Sequence, residues 1–208
     1  VHLRVTAKAE DEKEARKLTK PVVKELKERF GSNVYTTEEN VTLEKAVVDL
    51  LLANNLSVST VESCTGGMLA ARLINVPGVS EVFKSGFITY SNKAKRKLVN
   101  VKKTTLERYG TVSKQVAEEM VKGAHLQNKA DVIVSVTGIA GPDGGTKEKP
   151  VGLVYVACFV CGTITVKEYH FSGNRAKIRE TIVANTLTLM RQCILEYYSE
   201  VTMGKEKE

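Results

Sequence analysis

The sequence predicts an α/β protein: a three-layer α/β/α domain on a mixed five-stranded sheet, preceded by a small βαβ piece. Three observations carry this. β-branched runs of strand length alternate with segments of helical period across residues 42–137. One of those runs, VIVSV (132–136), is almost continuously apolar, as a strand covered on both faces must be. Two further runs, 151–160 and 163–171, meet at Cys161-Gly162 and read as a hairpin, which makes the sheet mixed.

Composition sets the bounds. With 208 residues, 42% of them apolar and 26% charged, the chain has the make-up of a globular protein that can bury a substantial core. No apolar run approaches the ~20 residues of a membrane span, and no signal-peptide pattern opens the chain. Val1 is not Met and the chain opens in mid-strand, which predicts a piece of something longer. Of the net charge of +7, the stretch 93–108 supplies +6, from seven basic residues against one acidic. A uniformly basic nucleic-acid coat is therefore excluded; the run is a solvated helix face or a patch that meets phosphate.

The four cysteines make no disulfide framework. Cys158 and Cys161 form a C-x-x-C, but on a strand that odd spacing sends the two thiols to opposite faces, against a redox or zinc pair. His2, His125 and His170 lack metal-ligand spacing. The expectation is a protein without metal or cofactor in a reduced, cytoplasmic setting.

Taken in order, residues 2–9 read as a strand and 11–30 as a helix, with acidic residues at its start and Gly31 as its stop. Pro21 is expected to kink or split that helix. Residues 33–36 read as a second short strand. Residues 42–54 place Leu43, Ala46, Val47, Leu50 and Leu51 on one helical face, with Thr42 as cap. A strand at 58–61, a helix at about 66–75, a turn at Pro77-Gly78, a strand at 87–90 and a basic helix at 92–99 follow. Ser113 caps a helix to about residue 128. After the strand at 131–137 comes a Gly/Pro/Asp-rich loop at 138–150, then the hairpin and a long helix at 174–200. The domain division expected is 1–40, 41–200 and a flexible tail, 201–208.

Four stretches could carry chemistry. In VSTVESCTGG (58–67) a β-branched strand ends in three nucleophile-capable side chains, Ser63, Cys64 and Thr65, before Gly66, Gly67 and a helix. That layout exposes a hydroxyl and aims free N–H groups at one point, where a phosphate, a carboxylate or an oxyanion could sit; it is also what a plain capped turn looks like. In GFITYSNKAK (86–95), Tyr90 and Lys95 stand at or just past a strand's carboxyl end, where α/β sheets bind ligands. For Lys95 to deprotonate a serine, its pKa must fall from about 10.4 to about 7, a change of ~4 kcal/mol. Lys93, Arg96 and Lys97 adjoin it in sequence, and like charges push a lysine in that direction. The alternative is a surface lysine on a basic helix. The third stretch, SVTGIAGPDGG (135–145), feeds a buried strand into a loop with Thr137, Gly138, Gly141 and Asp143, where glycines let backbone approach a phosphate or sugar. In the fourth, FSGNR (171–175), Arg175 opens a helix and can fork onto a phosphate or carboxylate.

In this order these stretches resemble the C-terminal domain of the CinA family, the competence-damage-inducible A proteins. The matching segments are VESCTGG (61–67), GFITYSNKAK (86–95), GTVSKQVAEEM (110–120), VTGIAGPDGGTKEKPVG (136–152) and FSGNR (171–175), and the likeness spans about residues 42–198. Residues 1–40, with RVTAKAEDE, resemble the end of the family's small KH-like middle domain. Stand-alone versions of the C-terminal domain are nicotinamide mononucleotide deamidases. The resemblance implies hydrolysis of that carboxamide to nicotinic acid mononucleotide and ammonia, with Ser63 as nucleophile and Lys95 with Tyr90 as the proton-handling pair. It also places Thr137 and Arg175 in the site.

On this reading the N–H groups of Thr65, Gly66 and Gly67 hold the oxyanion, while Arg175 and the loop of Gly138, Gly141 and Asp143 hold phosphate and ribose. Cys64 is the rival nucleophile, with no histidine near it in sequence. The expected partner is a small pyridine nucleotide, in a homo-oligomer (dimer), with neither membrane nor nucleic acid. The alternative from another class is a nucleic-acid-binding or scaffold protein with an idle site, drawing on the KH-like piece and the 93–108 cluster.

Overall fold

The computed structural model describes residues 2–205. It divides into two units, Val1–Val41 and Thr42–Glu208. In the first, α1 runs over Glu12–Phe30, capped by the Asp11 carboxylate, which accepts from the Glu14 N–H at 2.8 Å. The helix continues through Pro21; residues 17 and 21 are exposed, so water can satisfy the carbonyl that proline leaves unpaired. Residues 2–9 and 34–36 are not strands, contrary to the sequence reading, because neither finds a ladder partner among the described residues. No residue of α1 is buried, so this unit has a thin core of its own.

In the second unit the elements are α2 (Leu43–Ala53), β1 (Val58–Glu62), α3 (Met68–Ile74), β2 (Phe83–Ile88), α4 (Asn92–Val99), α5 (Lys103–Tyr109), α6 (Lys114–Asn128), β3 (Val132–Gly138), β4 (Leu153–Val160), β5 (Thr163–His170) and α7 (Arg175–Lys205). The sheet order is β2-β1-β3-β4-β5. The pairs β1/β2 and β1/β3 are parallel, while β3/β4 and β4/β5 are antiparallel. This is the expected mixed five-stranded sheet. Val132, Val134 and Val136 pack with Val47, Leu69 and Ile178 of α2, α3 and α7 on one face. Ile133 packs with Val99, Val116 and Met120 of α4 and α6 on the other. Alternation along β3 thus supplies both cores and gives three layers.

The departures are local. β2 begins at Phe83, four residues before the predicted strand, and ends before Tyr90. It is an edge strand, where Lys84 and Ser85 are tolerated, so the apolar run marked only its end. α5 went unpredicted because its seven residues, KTTLERY, are too few and too polar to show a period. α3 starts two residues late, since Gly66 and Gly67 take φ of 61° and 98°. The hairpin turns on Cys161 and Gly162, with φ of 46° and 105°, as a two-residue primed turn requires. α7 runs to Lys205, beyond the predicted end at 200; residues 206–208 of the expected tail lie outside the described residues.

Candidate active site

Parallel pairing puts the carboxyl ends of β2, β1 and β3 on one edge of the sheet. The chain leaves β1 toward β2 on one side and returns to β3 on the other, so the strand order reverses beside β1. Ser63 is the first residue past β1, held by its N–H on Val136 O at 3.1 Å. Past β2, the chain turns through Thr89 and Tyr90 into α4, which Ser91 caps by accepting from Ala94 N at 3.1 Å. On α4, Lys95 and Val99 fall on the inner face and are fully buried, whereas Lys93, Arg96 and Lys97 fall on the outer face.

The consequence is direct contact between two candidates drawn from segments 32 residues apart: Lys95 Nζ donates to Ser63 Oγ at 2.9 Å. It also donates to Thr89 O at 2.7 Å. Burial pulls the lysine pKa from 10.5 down to about 8. The cause differs from the sequence expectation: the cationic neighbours point away, and loss of solvent does the work. Ser63 is 7% exposed and Lys95 wholly buried.

The rival nucleophile is disfavoured. Burial pushes the Cys64 thiol up to about 11, so at neutral pH it is the protonated, weakly nucleophilic form. If the chain hydrolyses an amide through Ser63, Cys64→Ala should keep ammonia release within about threefold of the parent; a loss of two decades or more would reassign the nucleophile.

The turn after Ser63 corrects the oxyanion expectation. The Gly66 N–H is spent on Ser63 O at 3.1 Å and the Gly67 N–H on a Glu62 carboxylate oxygen at 2.9 Å. Glu62, buried at the end of β1, also accepts from the Leu69 and Ala70 N–H groups at 3.0 and 2.8 Å. It therefore caps α3 from the strand, a role neither Ser63 nor Thr65 takes. Among the described residues the Thr65 N–H has no partner, nor does its buried Oγ1.

Arg179, on α7, fixes this turn. Its Nε donates to Cys64 O at 3.0 Å and its terminal nitrogen to Thr65 O at 2.8 Å. In a trans peptide N–H and C=O point oppositely, so gripping Cys64 O aims the Thr65 N–H away from α7. Neither Glu62 nor Arg179 was picked out from sequence. The only available signals were an acid ending a β-branched strand before Gly-Gly, and an arginine one helical turn after Arg175.

The remaining candidates form a second group. Tyr90, 61% exposed, makes no hydrogen bond to Lys95 or Ser63 among the described residues; its hydroxyl accepts from Arg175 at 3.1 Å. Arg175 also donates to Gly141 O at 2.7 Å, tying the 138–150 loop to the turn before α4. Thr137, buried, donates to Thr111 O at 2.9 Å and so holds the α5–α6 connection over the end of β3. Lys149 reaches the same connection, donating to Tyr109 O and Val112 O at 2.6 and 2.7 Å. Gly138 and Gly141 have structural reasons of their own: an added Cβ would meet the Val154 and Val151 side chains at 2.6 Å. Asp143 is exposed and makes no hydrogen bond or ion pair among the described residues.

A three-layer α/β domain with a serine and a buried lysine hydrogen-bonded at its strand ends is the class that fold and site define. Residues 40–194 match the model of the CinA C-terminal domain and residues 1–36 that of the damage-inducible protein CinA KH domain. The chain belongs to the CinA family. It is similar to a protein of Clostridium novyi (strain NT) named competence-damage inducible protein, 51% identical over 92% of this chain and 46% of that one. A namesake in Clostridioides difficile (strain 630) is 49% identical over 92% and 47%. The chain thus spans about half the length of these relatives. Among solved structures it resembles the competence/damage inducible protein CihA from Agrobacterium tumefaciens (41% identity, TM-score 0.69, 71% of this chain and 90% of that one). It also resembles a CinA superfamily protein from Klebsiella pneumoniae 700603 (30% identity, TM-score 0.72, 74% and 96%). No helix among the described residues is long and apolar enough to cross a membrane.

Proposed function

We propose that this chain is an amidohydrolase that converts nicotinamide mononucleotide to nicotinic acid mononucleotide and ammonia, serving pyridine nucleotide salvage in the cytoplasm. The observation that carries the reading is the 2.9 Å bond between Ser63 Oγ and the buried Lys95 Nζ. A lysine with a pKa near 8 is neutral in roughly a tenth of molecules at pH 7, enough to serve as a general base. Its substrate is inferred from the motif resemblance set out above.

Neutral Lys95 takes the Ser63 proton as the oxygen attacks the carboxamide carbon. The tetrahedral oxyanion is held by the Thr65 N–H, which the turn leaves unspent while it uses those of Gly66 and Gly67. The lysine then gives its proton to the departing nitrogen, ammonia leaves, and water, deprotonated by the same lysine, cleaves the ester on Ser63. The pyridinium charge of the substrate activates its own amide. Arg175, two of whose five N–H groups serve Gly141 and Tyr90, has donors left for the substrate phosphate. Tyr90 accordingly moves from the proton relay to the substrate side, beside Arg175.

The test is ammonia release, with nicotinic acid mononucleotide identified chromatographically, from nicotinamide mononucleotide and the folded chain. Release supports the reading; a folded chain without turnover would overturn it for this chain. Arg179 supplies a further expectation. Arg179→Gln frees the Cys64 and Thr65 carbonyls and lets the Thr65 N–H wander, which should lower kcat about 10²-fold, the scale of one lost oxyanion donor. KM and the pH profile should stay unchanged. An equal effect on KM, with kcat preserved, would show that Arg179 acts on substrate binding instead.

A further inference from the structure

The outer face of α4 and the start of α5 are left unused by this chemistry. They border an open concavity of about 790 Å³, lined by Lys93, Arg96, Lys97, Lys102 and Lys103, with Glu107 as the single acid of its lining. We propose that this cavity is a second anion site, distinct from the Ser63 centre, that takes a compact polyphosphate: a free oligophosphate chain or the phosphate chain of a nucleoside triphosphate.

Charge balance separates this surface from an ordinary solvated one. On α1, also strongly charged, seven cations are interleaved with four acids, Glu12, Glu14, Glu25 and Glu28, and three of the cations pair at i,i+4: Arg16 with Glu12, Arg29 with Glu25, and Lys24 with Glu28. Of the lining residues the one acid, Glu107, is taken by Lys103 at 3.3 Å, and Glu119 beside it is spent on the Lys102 N–H and the Thr105 hydroxyl at 2.8 and 2.7 Å. Lys93, Arg96, Lys97 and Lys102 have no carboxylate within ion-pair distance among the described residues. Four unmatched cations on one concavity repel one another, and a multiply charged anion removes that repulsion.

The platform is also held in place. Lys95 and Val99 anchor α4 inward, and Gly123 of α6 lies so close that an added Cβ would stand 1.7 Å from Val99 O. The cations are therefore presented by a helix packed backbone to backbone, and less ordering is needed on binding. The volume lies in the range of nucleotide-sized sites. No aromatic ring lines it, so bases have nothing to stack on, and single-stranded nucleic acid is disfavoured relative to a phosphate chain. A substrate with one phosphate, already served by Arg175, does not call for five cations elsewhere.

The experiment is isothermal titration of the full chain with inorganic tripolyphosphate, with ATP and with single-stranded oligonucleotides of increasing length. Tripolyphosphate and ATP should bind alike, one per chain, and weaken at least about tenfold between about 50 and 300 mM salt. The triple variant Lys93→Gln, Arg96→Gln, Lys97→Gln should lose at least about tenfold in affinity, while its melting temperature and circular dichroism show that it is folded. The double variant Lys102→Gln, Lys103→Gln, on the other helix, should lose affinity in the same direction, and Arg175→Gln should lose none. Any one of four results would overturn the proposal: no binding at low salt; binding abolished by Arg175→Gln, which would locate it in the Ser63 centre; binding of ATP but not tripolyphosphate; or oligonucleotide affinity that exceeds both and grows with length. None of these outcomes depends on whether the chain turns over nicotinamide mononucleotide.

Discussion

Ser63→Ala is expected to lower kcat for ammonia release by about 10⁴-fold or more, leaving the chain folded and KM within a few fold. Loss of a nucleophile removes the covalent route outright, and the residue left behind cannot be activated by Lys95. The structural disturbance should be small. Ser63 Oγ is a partner of Lys95 Nζ only, and that nitrogen keeps Thr89 O. The position is held by backbone bonds, from Ser63 N to Val136 O and from Gly66 N to Ser63 O, which alanine retains. Retention of more than about a tenth of the activity would refute a serine mechanism.

The second large effect falls on Lys95. Lys95→Met keeps the bulk of the side chain and removes the base, so kcat should fall about 10³-fold or more. In the proposed mechanism the neutral lysine is the active form, so kcat/KM should rise with pH, about tenfold per pH unit below 8, and level off above about 8. A profile that falls through pH 8 would show that the ammonium is the working form.

The same substitution has an opposite consequence for stability. The folded-state pKa lies near 8 against 10.5 for the free side chain. Below pH 8 both folded and unfolded chains carry the proton, and the buried ammonium is a full cost. Between 8 and 10.5 the unfolded chain binds more protons, so parental stability rises with pH through that window. Lys95→Met removes the cost but forfeits the bonds to Ser63 and Thr89. The variant should therefore compare better with the parent at pH 7 than at pH 10, by about 2–3 kcal/mol. A difference independent of pH, read from denaturant melts at both values, would contradict a depressed lysine pKa.

What could be read from the sequence follows from where each signal resides. β3 and β1 were legible because burial on both faces leaves a run of apolar or β-branched residues, and α2 and α6 because one face repeats every third or fourth residue. β2 was misplaced because an edge strand needs no such run. Ser63 and Lys95 could be singled out as residue types at the ends of strands, yet their contact depends on β1 and β2 lying parallel and adjacent, which no local pattern records. The lowered pKa of Lys95 was anticipated for a reason that does not hold: Lys93, Arg96 and Lys97 are close in sequence but project from the opposite side of α4. Glu62 and Arg179 escaped notice because each acts through backbone groups, Glu62 across a turn and Arg179 from a helix more than a hundred residues away. Gly66 and Gly67 were read as anion donors when their N–H groups in fact satisfy Ser63 and Glu62.

The central claim is a covalent intermediate on Ser63. Nicotinamide mononucleotide can be mixed in rapid flow with the chain at about pH 8, where Lys95 is neutral in about half of the molecules and Ser63 can be acylated. The mixture is then quenched within one turnover, and the peptide spanning residues 58–72 is sequenced by mass spectrometry. The account predicts the nicotinoyl mononucleotide ester on Ser63, absent from Ser63→Ala. The same adduct on Cys64, or turnover with no adduct on this peptide, would contradict it.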